Sequence, residues 1–190
     1  MSGQPGAPAS FLLGLTYLRI LLIPVVMGLI LRGPDQDAAY VAAAVLFVVA
    51  AMTDFVDGYV ARRWALTTTF GSFLDTTADK LLAAGALIAL VEVDRASVWI
   101  AMIIIGRELV ILGLRGVVAA EGTVFPPSIW GKLKTNVQFL AILLAILRYD
   151  EPLGPLLVDE WAMLAAATIT VLSAVEYLLR FSSAFSEGSS

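Results

Sequence analysis

Four aspartates, Asp54, Asp57, Asp75 and Asp79, stand in the stretch TDFVDGYVARRWALTTTFGSFLDTTADK, from Thr53 to Lys80. Asp54 and Asp57 are three apart, and Gly58 and Ala61 follow Asp54 by four and seven, which is one helical face. Gly71, Asp75 and Asp79 recur at intervals of four, again one face. Two helices joined by a short turn can therefore aim four carboxylates into a shared cavity. The small residues on the same faces would let a ligand or a neighbouring helix approach the backbone. Carboxylates this close cannot all stay ionised without a counter-cation. The chain contains no histidine and no cysteine, so any metal must be held by oxygen. That donor set favours magnesium or manganese, and a pair of such ions about 3.5–4 Å apart suits phosphoryl transfer. The same absence excludes disulfides and thiolate chemistry and argues against zinc, haem and imidazole catalysis.

The elements that must position these acids are apolar. Of 190 residues, 59% are hydrophobic and 15% charged, and the mean hydropathy is +0.89. A soluble core of this size cannot hide so much apolar surface, which predicts an integral membrane protein. The net charge of −4 gives no reason to expect a nucleic-acid partner. Six apolar segments, at about 11–31, 39–61, 68–91, 97–119, 129–148 and 160–181, are long enough to span or nearly span a bilayer of about 30 Å. The expected fold is all-α, with six transmembrane helices in one catalytic domain over 11–181. Residues 1–10 read as a disordered lead and 182–190 as a flexible tail. No Lys or Arg precedes Arg19, so the first segment reads as a retained helix and not as a signal peptide.

Orientation follows from the cations. With the N-terminus inside, the inner loops and ends hold Arg62, Arg63, Arg115, Lys132, Lys134 and Arg180. The outer ones hold Arg32, Arg95 and Arg148. This bias predicts both termini in the cytoplasm, with the aspartates flanking the inner membrane surface. An aspartate deep in a membrane helix costs about 2.5–3.5 kcal/mol on insertion scales, so four on two such faces point to function. Solvated helix-end charges paired with Arg62, Arg63 and Lys80 are the plainer alternative.

The stretch fits D-x-x-D-G-x-x-A-R-x8-G-x-x-x-D-x-x-x-D without mismatch, through Asp54, Asp57, Gly58, Ala61, Arg62, Gly71, Asp75 and Asp79. It resembles the signature of the CDP-alcohol phosphotransferases, integral membrane enzymes of phospholipid synthesis. The resemblance implies six transmembrane helices, a homodimer and a two-metal site facing the cytoplasm. It implies that Asp54, Asp57, Asp75 and Asp79 hold the metals that grip the CDP diphosphate. Gly58, Ala61 and Gly71 would make room for the cytidine, and Arg62 would contact the donor or lock the hairpin. Asp79 would also take the proton of the acceptor hydroxyl.

The acceptor is written elsewhere. LTYLRILLIPV (15–25), ADKLL (78–82), GRELVILGLRG (106–116) and WGKLKT (130–135) resemble the family members that join CDP-diacylglycerol to glycerol 3-phosphate, the phosphatidylglycerophosphate synthases. An acceptor phosphate dianion needs cations, and Arg107, Arg115, Lys132 and Lys134 are the candidates. Lys132 and Lys134 would equally serve as positive-inside anchors, and Arg115 could snorkel. Adjacent helical positions do not face each other, so a direct Arg107–Glu108 pair is not expected. Lys80 points away from Asp79 and reads as structural. Arg19, inside the first segment, needs an acidic partner, of which Glu176 is one candidate. Two positions depart from the pattern: FLLGLTYLR replaces an expected PN-x-L-T-x-x-R, and Thr76 stands where proline is usual. A cardiolipin synthase or a phosphatidylinositol phosphate synthase of the same fold is an alternative. A divalent-cation transporter or channel is the alternative of another class.

Overall fold

A computed structural model describes residues 7–64, 69–120, 129–148 and 152–187. Side chains are described for 14–53, 71, 73–119, 131, 133–148 and 152–182. Among these residues the chain is helical apart from one small hairpin. The helices are α1 (Ala7–Arg32), α2 (Asp37–Trp64), α3 (Thr69–Glu92), α4 (Val98–Ala120), α5 (Ile129–Leu147) and α6 (Val158–Glu187). Each matches one apolar segment of the sequence. α1 begins four residues before Phe11, with Pro8 in its first turn, where a missing N–H is harmless. α6 runs on to Glu187, past the expected end at 181.

Residues 1–95 form one compact unit. Within it α1 packs along both α2 and α3, which touch each other little among the described residues. The approach of α1 to α3 is close at Gly85: a Cβ there would fall 2.9 Å from Met27 Sδ and 3.0 Å from Ile23 Cγ2. The core mixes small side chains, with Ala43, Ala44, Ala50, Ala78, Ala83, Ala86 and Ala89 buried, and large ones such as Ile30, Phe47, Leu82, Leu87 and Leu90. Large apolar residues face out, among them Leu21, Val45, Met52, Phe73 and Ile88. Close backbone approach at small residues, with large apolar side chains also covering the outer surface, is the arrangement of helices packing in lipid. α3 ends with Asp94 at φ 56°. There Arg95 N donates to Leu90 O at 2.8 Å and Asp94 N to Val91 O at 3.2 Å, a Schellman closure.

Residues 96–190 form the second unit. Here α6 is the shared helix, packed against both α4 and α5. Trp99, Met102, Leu109, Leu164, Leu172 and Leu179 face outwards. Between α5 and α6 the chain forms a hairpin, β1 (Pro152–Leu153) against β2 (Leu156–Leu157). Gly154 opens its two-residue loop at φ 73°, the conformation that a primed turn demands of its first residue. The hairpin hands over to α6 through a side-chain cap, Leu157 N donating to Glu160 Oε2 at 2.8 Å. Arg148 Nε reaches the buried Asp159 at 3.2 Å, beside the positive end of the α6 dipole.

Two spans are long and apolar enough to cross a membrane, Gly14–Arg32 and Val158–Ser182, among the described residues. Asp37–Thr53 and Leu133–Leu147 are shorter apolar helices. α3 and α4 carry charge within their length, Asp75, Asp79 and Lys80 on one and Arg107, Glu108 and Arg115 on the other.

Candidate active site

In the first unit the acid-bearing segments are helical on both sides of the link, α2 through Trp64 and α3 from Thr69. The side chains of Asp54, Asp57, Gly58, Ala61 and Arg62 lie outside the described residues. Of the expected metal ligands, Asp75 and Asp79 are described. Both are half-buried on α3, one turn apart, and flank the buried Ala78. Gly71 is half-buried on the same face. Asp75 keeps 34% of its side chain exposed and accepts a hydrogen bond at Oδ1 from Arg19 Nη1, 2.9 Å away.

Arg19 is among the most deeply buried side chains described. Its Nε donates to the carbonyl oxygen of Ala50 on α2 at 3.2 Å. The same carbonyl accepts from Thr53 Oγ1 at 2.7 Å. An unpaired cation at this depth would cost about 2.5–3.5 kcal/mol or more, so the partner is a structural necessity. That partner is Asp75. The sequence reading offered Glu176, which instead accepts from Arg180, one turn along α6, at 2.5 Å. The separation of 56 residues between Arg19 and Asp75 carries no local signal, so only the packing of α1 on α3 reveals the pair.

In the second unit the cations are held by an acid. Arg107 Nη1 donates to Glu108 Oε1 at 3.1 Å, and Lys134 Nζ on α5 bonds the same oxygen. Arg107 Nη2 donates to Ser173 Oγ on α6 at 2.6 Å. Arg107 and Lys134 are 13% and 4% exposed. The direct Arg107–Glu108 contact corrects the expectation that neighbours on a helix would not meet. Their side chains leave the helix in different directions, but both are long enough to converge where Lys134 enters from α5. Arg107 Nε is a buried donor with no protein partner among the described residues, and the acceptor Gln138 Oε1 and the hydroxyl Thr170 Oγ1 are likewise buried without one.

Not every expected cation joins this group. Arg115 is exposed and sits 5.7 Å over the Tyr177 ring, about 12 Å along α4 from Arg107 at helical rise. Lys132 lies outside the described side chains. The residues that sequence reasoning missed are Ser173 and the bridging role of Glu108. An acid inside an apolar helix was a usable signal for Glu108. A serine in α6 carried none.

The chemistry of these groups can be set beside known proteins. A family model described as CDP-alcohol phosphatidyltransferase matches residues 13–172. The chain belongs to this family. A relative from Bacillus subtilis is 41% identical over 86% of this chain and 90% of its own length. It is named CDP-diacylglycerol–glycerol-3-phosphate 3-phosphatidyltransferase. Proteins of the same name from Pseudomonas fluorescens and Haemophilus influenzae are 37% and 36% identical over 86% of this chain, and over 86% and 89% of their own lengths. The chain is accordingly a transferase, and a transport path lined by the acids is set aside. The family is one of divalent-metal-dependent enzymes. The residues described here fit such an ion: Asp75 and Asp79 share a face, Arg19 takes one oxygen of Asp75, and the chain offers no nitrogen or sulfur ligand of the His or Cys type.

Proposed function

We propose that the protein transfers the phosphatidyl group of CDP-diacylglycerol to sn-glycerol 3-phosphate, giving phosphatidylglycerophosphate and CMP. The observation that carries the acceptor is the buried Arg107–Glu108–Lys134 cluster with its unused Arg107 Nε donor. Among the described residues two cations meet one carboxylate, and a phosphate monoester is the acceptor group that such a cation-rich site suits. The relatives' names support the same choice.

On this reading Asp54, Asp57, Asp75 and Asp79 hold the divalent cations, magnesium or manganese and two in number. Bound there, the ions offset negative charge on the diphosphate and on departing CMP. Gly58, Ala61, Arg62 and Gly71 receive the CDP moiety. Asp79 accepts the proton of the glycerol 3-phosphate hydroxyl. That oxygen bonds to the phosphorus carrying diacylglycerol, and the bond from this phosphorus to CMP breaks. Arg107 and Lys134 orient the acceptor phosphate, and Arg115 and Lys132, nearer the cytoplasmic end, draw it in. A hydroxyl held in line needs no covalent enzyme intermediate.

The protein sits in the bacterial cytoplasmic membrane with six spanning helices, both termini and the acids on the cytoplasmic side. The support is the charge bias of the loops, the outward-facing apolar side chains and the two long apolar spans. The charges on α3 and α4 are tolerable at membrane depth because they are paired or belong to the site. A homodimer rests on the family resemblance.

The test is CMP release by purified protein given CDP-diacylglycerol and magnesium with glycerol 3-phosphate, phosphatidylglycerol, inositol phosphate or serine in separate reactions. Release with glycerol 3-phosphate, abolished by chelator, is expected. Release with phosphatidylglycerol alone would reassign the enzyme as a cardiolipin synthase. No release from folded protein with any acceptor would overturn the reading.

A further inference from the structure

The buried arginine of α1 has no place in the reaction as described above, yet it touches the machinery. We propose that Arg19 is a positioning residue of the metal site, one guanidinium that fixes Asp75 on α3 relative to the end of α2. The inference rests on the assignment of the aspartates as metal ligands.

Three observations carry it. Arg19 uses different nitrogens for different helices: Nη1 donates to Asp75 Oδ1 at 2.9 Å, and Nε donates to the Ala50 carbonyl at 3.2 Å. The guanidinium is planar and rigid, so these bonds fix a direction as well as a distance. Ala50 lies one turn before Asp54 in sequence, so the anchor on α2 is adjacent to the other acid pair. Finally, among the described residues α2 and α3 scarcely touch, whereas α1 packs along both. The spacing between the helix that carries Asp54 and Asp57 and the helix that carries Asp75 and Asp79 is therefore set through α1. Arg19 is where that helix grips both.

The bond to Arg19 also selects an oxygen. With Oδ1 engaged, the Asp75 carboxylate plane is held and Oδ2 is the atom left to meet a cation. Groups that fix the orientation of a metal-ligating side chain commonly govern affinity by one to two orders of magnitude. A bare counter-charge would do otherwise. It would lower the negative charge of the site and weaken metal binding, and a lysine would replace it. Geometry and charge thus predict opposite results.

The experiment measures Mn²⁺ binding by electron paramagnetic resonance on purified protein without lipid substrates. Wild type, Arg19→Lys, Arg19→Gln, Asp75→Asn and the Arg19→Gln/Asp75→Asn double variant are compared. Both Arg19 variants should bind Mn²⁺ about tenfold or more weakly. CMP release at fixed magnesium should fall in parallel and recover partly at high magnesium, with the KM for glycerol 3-phosphate within about twofold of wild type. On the Asp75→Asn background, Arg19→Gln should add little, because it acts through that carboxylate. The double variant also removes the buried cation together with its partner, so it reports even where Arg19→Gln alone does not fold. Wild-type Mn²⁺ affinity in Arg19→Lys, tighter binding in Arg19→Gln, or an undiminished effect of Arg19→Gln on the Asp75→Asn background would each overturn the proposal. In all three cases wild type still releases CMP, which separates this failure from failure of the functional assignment.

Discussion

In the N-terminal unit a buried arginine meets the acids; in the C-terminal unit a buried glutamate meets the cations. Both units use a shared helix, α1 between α2 and α3, and α6 against α4 and α5. In both, polar side chains tie the shared helix and its neighbours together. Arg19 joins α2 to α3 through Ala50 and Asp75. Glu108 joins α4 to α5 through Lys134, and Arg107 joins α4 to α6 through Ser173. The difference lies in exposure. Asp75 stays one-third exposed beside a buried partner, whereas Lys134 and Glu108 are both buried. A site that must admit a cation keeps its carboxylate open. A site that must hold cations ready for a small anion holds them inside, each satisfied by an internal carboxylate until the acceptor arrives.

If the two units divide the work in this way, substitutions in them should separate in kinetics. The largest effect is expected in the first unit: Asp79→Asn should lower CMP release by about a thousandfold or more. CDP-diacylglycerol binding, read by a pull-down or a thermal shift with the nucleotide lipid, should largely survive. Loss of donor binding to the same degree would make Asp79 a ligand before it is a base. In the second unit, Glu108→Ala leaves two cations buried without their carboxylate. It should cost about 3–5 kcal/mol of stability, seen as a lower midpoint in detergent thermal unfolding. An unchanged midpoint would mean that the cluster is solvated in the working protein.

Next in size is Lys134→Ala. It should raise the KM for glycerol 3-phosphate by about 10–100-fold while the KM for CDP-diacylglycerol moves little, since a charge-assisted bond to phosphate is worth about 1.5–3 kcal/mol. Equal shifts for both substrates would erase the division between the units. Ser173→Ala frees one Arg107 nitrogen and should raise the acceptor KM by about tenfold or less. The smallest effect belongs to Tyr177→Leu, which removes the ring beneath the exposed Arg115. A cation–π contact at an exposed site is worth about 0.5–1 kcal/mol, so a change of about fivefold or less in acceptor KM is expected. A larger change would bring Arg115 into the acceptor site proper.

Much of this was legible in the chain itself. The helices follow the apolar segments because hydrophobic length is a one-dimensional property. The Asp75–Asp79 face was readable because spacing by four is local to one helix. The hairpin at Pro152–Leu157 was not, since PLGPLL also reads as a bare turn and its pairing is only two residues long on each strand. Arg115 was grouped with Arg107 by charge alone, and helical rise then carried it two turns away.

The family signature, the oxygen-only ligand set and the apolar segments were determined by the sequence by itself, because residue type, spacing and hydropathy survive without a fold. The tertiary structure decided which charges meet. It gave Arg19 to Asp75, gave Glu108 to both Arg107 and Lys134, and left Arg115 on Tyr177. A buried ion pair depends on the distance between side chains on different helices, and that distance exists only once the helices have packed.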